Sequence, residues 1–273
     1  MNIQYRKLKL KMKTKLLLIQ ILILTGALVK AQDTKLTSDH DKTYSVNFQL
    51  GLNQIKETNL IPLAHQGRLT ELSFETEKIK KSLRQFRFSF LYSRIKTEAE
   101  EMPKSGNIMF CLDYSFNFLI YQKNNLRYYL GPQASLCYSY MLYPNWDDSH
   151  GYWADYLSFG PDNILSLSLK HEREWFTSLS FSLVSIFSRP DEIRQYKMDN
   201  SSVEGILKAL NSNLESGSLN KALQINFKIE YRFPVFVSKR EAITFGMNLI
   251  RLSQKKEQPV FQFIWQAGLK IML

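Results

Sequence analysis

Cysteine is nearly absent, with two in 273 residues. That excludes a disulfide-dense scaffold and a cysteine-built zinc centre, which takes three or four ligands. Past Val29 no apolar run approaches the ~18–20 residues that a spanning helix needs, so no transmembrane helix is expected. The body of the chain also lacks clustered lysines and arginines. The formal net charge is +11, but residues 1–31 hold seven Lys or Arg and no acid, which leaves +4 for the remainder. Without a basic patch, no nucleic-acid partner is expected. No metal-ligating or cofactor-binding motif stands out, so no metal and no cofactor are expected.

What is present begins with the N-terminus. Arg6, Lys7, Lys9, Lys11, Lys13 and Lys15 precede an apolar run from Leu16 to Val29, and small residues occupy the −3 and −1 positions of Val29-Lys30-Ala31. This three-part pattern is that of a secretory signal cut before Gln32. The absence of cysteine at the cut argues against a lipid-anchored N-terminus. Residues 1–31 are therefore read as a signal peptide, 32–42 as a polar N-terminal segment and 43–273 as the folded domain.

That domain alternates apolar and polar residues with a period of two, the mark of a strand with two unlike faces. Tyr44, Val46, Phe48, Leu50 and Leu52 form one such run. Phe86 to Tyr92, Ile108 to Ile120, Leu223 to Phe233, Ile243 to Leu249 and Phe261 to Leu273 are others, and about ten occur in all. Many reach nine or more residues, longer than the usual ~5–6 of soluble strands and close to the ~9–11 of a tilted membrane strand. The apolar faces are rich in Tyr, Trp and Phe, as interfacial girdles require.

The connections alternate in length. Links around 53–68, 95–106, 143–155 and 189–220 are long, whereas 78–81, 122–125, 171–174 and 234–240 are short. Long links at one end and tight turns at the other are the habit of outer-membrane barrels. The reading predicts a closed antiparallel up-and-down transmembrane β-barrel of about ten strands, with twelve as the alternative. In lipid an open sheet edge has unsatisfied backbone groups, so the sheet must close.

The chain end strengthens this. Gln266, Gly268, Ile271 and Leu273 resemble the C-terminal assembly signal of outer-membrane barrels, although the family prefers an aromatic residue where Leu273 stands. With the leader, the chain resembles small outer-membrane β-barrel proteins of the kind abundant in Bacteroidota (Gram-negative bacteria). The resemblance implies export to the cell outer membrane, insertion by the barrel-assembly machinery, contact with outer-membrane lipid, and no particular activity.

Small barrels have interiors filled by side chains. Glu71, Glu75, Glu77, Asp113 and Glu230, and Arg87, Arg127, Lys170, Lys228, Arg232 and Lys270, share the parity of the polar faces. They are expected to form a lumen network of ion pairs, since buried charges must be paired. The alternative is a narrow polar conduit. Cys111 and Cys137 are equidistant from Asn124 and face each other on a hairpin. A disulfide and two free thiols both remain open at this point.

The weak catalytic candidates are His65 in the first long link and Asp147, Asp148 and His150 in another, residue types able to activate water. In the link 189–220, Ser201 and Glu204 form a capping box, and Val203, Ile206, Leu207 and Leu210 would share one face of a short helix. Pro132 and Pro161, each after a glycine, predict bulges or kinks. The leading expectation is a non-enzymatic structural or accessory subunit of a surface complex, with other outer-membrane proteins as partners. A narrow solute channel and a hydrolase with a rim site are the alternatives.

Overall fold

A computed structural model describes residues 42–57, 64–79, 82–97, 105–142, 151–189, 214–236, 239–253 and 259–273. Among these residues the only regular elements are strands: β1 (Thr43–Glu57), β2 (Ala64–Ile79), β3 (Ser82–Thr97), β4 (Ser105–Lys123), β5 (Leu126–Leu142), β6 (Gly151–Trp153), β7 (Asp155–Ser168), β8 (Glu174–Phe181), β9 (Val184–Ser188), β10 (Leu214–Ser218), β11 (Ala222–Phe236), β12 (Lys239–Ser253) and β13 (Pro259–Met272). Residues 1–31, read above as a signal peptide, residues 32–41 of the polar N-terminal segment and the helix expected over 201–210 lie outside the described residues.

All pairings are antiparallel, and β13 pairs with β1 while β5 pairs with β7, so the sheet closes on itself. Thirteen elements make ten barrel strands. β6 continues β7 in the same register against β5 (Tyr140↔Trp153, Cys137↔Tyr156). β9 extends β8 and β10 precedes β11, but here the register changes at each break: by one residue against β7, and by four between the β8–β11 and β9–β10 pairings.

The exposure pattern is that of a soluble protein turned inside out. Phe48, Ile243 and Leu269 on the outside are each half or more exposed, whereas Asn47, Glu71 and Glu230 on the inside are essentially inaccessible. Apolar area left in water costs about 25 cal/mol per Å², so this outer belt demands an apolar solvent. It runs from Tyr44 to Leu50 on β1, Phe86 to Tyr92 on β3, Phe110 to Ile120 on β4 and Trp265 to Ile271 on β13. The chain is thus a ten-stranded barrel of the membrane type.

At the end that carries both termini the strands are joined across 80–81, 124–125, 169–173 and 237–238. There Asn124, His171 and Glu172 hold positive φ (49°, 58° and 58°), the conformation a tight reversal needs and Asn tolerates best. At the opposite, far end the joins are 58–63, 98–104, 143–150, 189–213 and 254–258. The alternation holds, but the far links are shorter than expected. β1 and β2 keep pairing as far as Lys56↔Ala64, and β2 and β3 as far as His65↔Thr97. Leu214–Ser218, read as part of the longest link, is strand β10, and Glu174, read as part of a turn, starts β8. The reason is packing: Ile55, Leu69 and Ile95, on the inner faces of these extensions, are fully buried.

Pro132 lies opposite Pro161, flanked by Gly131↔Asp162 and Gln133↔Gly160, and the β5–β7 register runs straight through them. The expected irregularity falls on the outer neighbours. β4–β5 pairing skips Pro132, and the register against β7 shifts by one residue between β8 and β9, beside Pro161. The glycines allow this crowding: a Cβ on Gly131 would sit 1.9 Å from the Phe116 carbonyl oxygen, and one on Gly160 1.8 Å from that of Phe181.

Candidate functional site: the barrel lumen

Alternation places every second residue of each strand inside. On β2 this puts Glu71, Ser73, Glu75 and Glu77 on one face, and on β11 Lys228, Glu230 and Arg232, all lumenal. Three glutamates in a column repel, and cations from other strands answer them. Lys270 on β13 donates to Glu75 at 2.9 Å and to Glu230 at 3.1 Å. Lys228 lies 2.7 Å from Glu230 and 3.3 Å from Glu75. Arg232 reaches Glu77, Glu230 and Glu174 at 2.9, 2.9 and 3.3 Å. Its guanidinium also lies over the Phe176 ring, 4.2 Å from the centroid.

Arg87 on β3 stands opposite Glu75 and Asp113 in the ladders, but its hydrogen bond goes diagonally to Glu71. Glu71 also accepts from Gln266 at 2.6 Å, and Asp113 accepts from Ser135. Asp162, on β7, accepts from Asn117 at 3.0 Å. Glu71, Glu75, Glu77, Glu230, Lys228, Arg232 and Lys270 thus each have two or more polar partners, the condition under which buried ions are tolerated, whereas Arg87 holds Glu71 with its Nε left without a hydrogen bond.

This lattice is the middle of three layers. Toward the terminal end Leu83, Tyr129, Ile164 and Phe176 pack as a small apolar floor with Ile79 and Leu119. Toward the far end the inside becomes apolar again: Ile55, Leu69, Leu91, Ile95, Met109, Met141, Phe187, Ile250, Leu252, Val260 and Ile264 form one cluster with Cys111 and Cys137. Neutral amides thread it. Asn53 donates to Ser93 (2.8 Å) and Asn107 (3.1 Å), and Gln262 donates to Asn53 (3.1 Å). A pocket of about 120 Å³ remains inside the barrel, bordered by Glu71, Arg87, Asp113, Tyr156, Asp162 and Asn248. At roughly 30 Å³ each, that is room for a few waters.

Cys111 and Cys137 face each other in the β4–β5 ladder and form a disulfide, with Cα atoms 4.2 Å apart. Two of the proposed lumenal cations differ from expectation. Lys170 is exposed in the turn beyond the end of β7, because the strand stops at Ser168. Arg127 is half-buried near the terminal end and donates to the Tyr129 hydroxyl at 3.5 Å, away from the lattice. His65 is not in a loop. It is a buried residue of β2, opposite Ile55 and Thr97. Asp147, Asp148 and His150 lie outside the described residues. Of the C-terminal pattern, Gln266 points inward, Ile271 and Leu273 are exposed on the outside, and a Cβ on Gly268 would lie 1.9 Å from the Phe48 carbonyl oxygen. Among the described residues no three of His, Cys, Asp and Glu are grouped to hold a metal ion.

The alternation pattern points out the charged lattice but not Glu174 and Asp162, whose strands carry weaker alternation. It also left the far apolar layer unread. Its signal was the odd-numbered parity of Ile55, Leu69, Leu91, Ile95 and Met109, the same as that of the polar face.

The fold and its belt define a membrane-type β-barrel. No family model and no curated protein matches the chain. Solved structures of barrels do align with it. The outer membrane protease OmpT from Escherichia coli has TM-score 0.49 and 8% identity over 88% of this chain and 99% of that one. Neisserial surface protein A has 0.34 and 9% over 84% and 96%. The translocator domain of autotransporter NalP from Neisseria meningitidis has 0.40 and 6% over 95% and 97%. Identities this low transfer no activity from one chain to another.

Proposed function

We propose that this chain is a sealed outer-membrane barrel, without catalytic activity, that serves as a structural or accessory component of a surface complex. The observation that carries the reading is the series of three occluding layers inside the barrel. An ion crossing the lumen would have to displace the lattice around Glu75, Glu230 and Lys270 and then traverse the apolar cluster between Ile95, Met141 and Phe187. Loss of hydration in an apolar constriction opposes conduction. The apolar belt, the alternation of link lengths and the signal-like leader support residence in the outer membrane with the far end outside.

Two measurements test it. The purified protein in planar bilayers should give no stepwise conductance, and steady single-channel currents from wild-type protein would overturn the sealed reading in favour of a solute channel. Affinity capture from detergent-solubilised outer membranes should bring down a stoichiometric outer-membrane partner. Capture of the barrel alone would remove the accessory role.

A further inference from the structure

The outer surface changes abruptly at the far edge of the apolar belt. Lys56 on β1, Arg68 on β2, Arg94 and Lys96 on β3, and Arg251 on β12 all have outward parity, and all but the half-buried Arg251 are exposed. The belt stops where they begin: the outward residue before Arg94 is Tyr92, and the one before Arg251 is Leu249. Among the described residues no Asp or Glu points outward on this part of β12, β13, β1, β2 and β3.

Within this arc Arg68 and Arg94 stand directly opposite each other. Facing residues of neighbouring strands have Cβ atoms about 4.5–5.5 Å apart, and like charges there are destabilising. Lys96 sits beside them, opposite Gln66. Lys56 and Arg251 flank Phe261 from either side, and the Arg251 guanidinium lies 5.8 Å from that ring. A bound dianion would relieve the repulsion, and the planar fork of arginine suits a phosphate in bidentate contact.

We infer that this arc is a binding site for the phosphorylated headgroup of a lipid in the leaflet that meets the far end. The lipid's acyl chains would lie along the belt beneath it, against Tyr92, Phe90 and Phe110. Phe90 and Phe110 already pack with ring centroids 5.0 Å apart. The two surfaces are continuous, so one ligand with a charged head and apolar tails fits both. The inference rests on the membrane placement proposed above, but not on the lumen's being sealed or on an accessory role.

The test uses the mature chain in dodecyl maltoside. Native mass spectrometry follows titration with bis-phosphorylated lipid A, with the same lipid dephosphorylated, and with inorganic phosphate. Wild-type protein should retain the phosphorylated lipid, and Arg68→Gln/Arg94→Gln should weaken retention by about tenfold or more. Lys78→Gln/Arg84→Gln removes the same charge from a facing pair at the other rim and should leave retention unchanged. In lipid-free detergent the Arg68→Gln/Arg94→Gln protein should be as resistant to urea as wild type, or more so.

Equal retention of phosphorylated and dephosphorylated lipid overturns the inference. That is also the result expected if Glu98, Glu100 and Glu101, which follow Lys96 in sequence beyond the described residues, neutralise the arc. An equal loss in both double variants reduces the effect to net charge and overturns it. Inorganic phosphate binding as tightly as the lipid would make the arc a free-anion site, and lower urea resistance of Arg68→Gln/Arg94→Gln without lipid would make the pair structural. Both results overturn the inference too. A bilayer that stays silent or conducts leaves it untouched, so its failure can be told from failure of the sealed-lumen reading.

Discussion

Arg232 and Glu77 are joined by two parallel hydrogen bonds, each 2.9 Å, between residues 155 apart in sequence. β11 and β2 are not neighbours in the sheet: β12, β13 and β1 lie between them. The pair therefore ties one wall of the barrel to another across the interior, as a bidentate guanidinium–carboxylate contact does best.

Removing one side of such a contact leaves buried charge without compensation. Arg232→Leu takes the ion-pair partner from Glu77 and Glu174, while Glu230 keeps Lys228 and Lys270, and should cost about 3–5 kcal/mol. Glu77→Gln leaves Arg232 with Glu230 and Glu174 and should cost less, about 1–3 kcal/mol. Urea titration of the protein folded in lipid vesicles, followed by tryptophan fluorescence, measures both. An Arg232→Leu variant as stable as wild type would remove the lattice from the account of stability.

Three occluding layers in series predict a specific pattern of conductance. Arg232→Ala/Lys270→Ala opens only the charged layer, Ile95→Ala/Met141→Ala/Phe187→Ala only the far apolar layer, and Leu83→Ala/Tyr129→Ala/Phe176→Ala only the floor. Each variant alone should stay silent in planar bilayers, and only the combination of all three should pass current. The heat-modifiable gel shift of a folded barrel checks that each variant is assembled.

The Cys111–Cys137 bond closes a loop with a sequence separation of 26. Loop-closure entropy puts its value at about 3.5 kcal/mol at most, less because the hairpin is already paired by its backbone. Cys111→Ala/Cys137→Ala should fold with a lowered urea midpoint. Mass mapping of wild-type protein without reductant should recover the linked peptides, and reaction of both thiols with maleimide after denaturation would contradict the bond.

Substitution at the crowded glycines should prevent assembly. A Cβ at Gly160 falls 1.8 Å from the Phe181 carbonyl oxygen, against backbone that cannot move without breaking the ladder. Gly160→Val and Gly131→Val should sharply reduce the heat-modifiable fraction. By contrast, Gly106→Ala, whose Cβ would meet nothing nearer than 3.6 Å, should assemble normally.

The orientation has its own check. In a Cys111→Ala/Cys137→Ala background, Ala64→Cys, exposed at the far end, should react with an impermeant maleimide on intact cells. Lys123→Cys, exposed at the terminal end, should react only after lysis. The reverse result would place the cationic arc at the inner leaflet.

What could be read from the chain depended on how local the cause was. Residues such as Phe86, Phe88 and Phe90 alternate with Gln85, Arg87 and Ser89, and the period of two assigns faces without any knowledge of neighbours. Tight turns such as the one at Asn124 are equally local. His65 was misplaced because nothing in its own surroundings says that pairing continues past the belt. The buried faces of Ile55 and Ile95, on other strands, extend it.

By itself, the sequence settled the two faces of each strand, the alternation of short and long links, and a hydrophobic side too continuous for water. These follow from backbone geometry, which repeats every two residues whatever the tertiary context. Only the three-dimensional structure decided which charges meet, because Arg232 and Glu77, or Lys270 and Glu230, are brought together by closure and register around the whole barrel. Closure likewise decided that the far half of the interior is apolar, and the β2–β3 register decided that Arg68 confronts Arg94, since a cross-strand neighbour is fixed by pairing rather than by position along the chain.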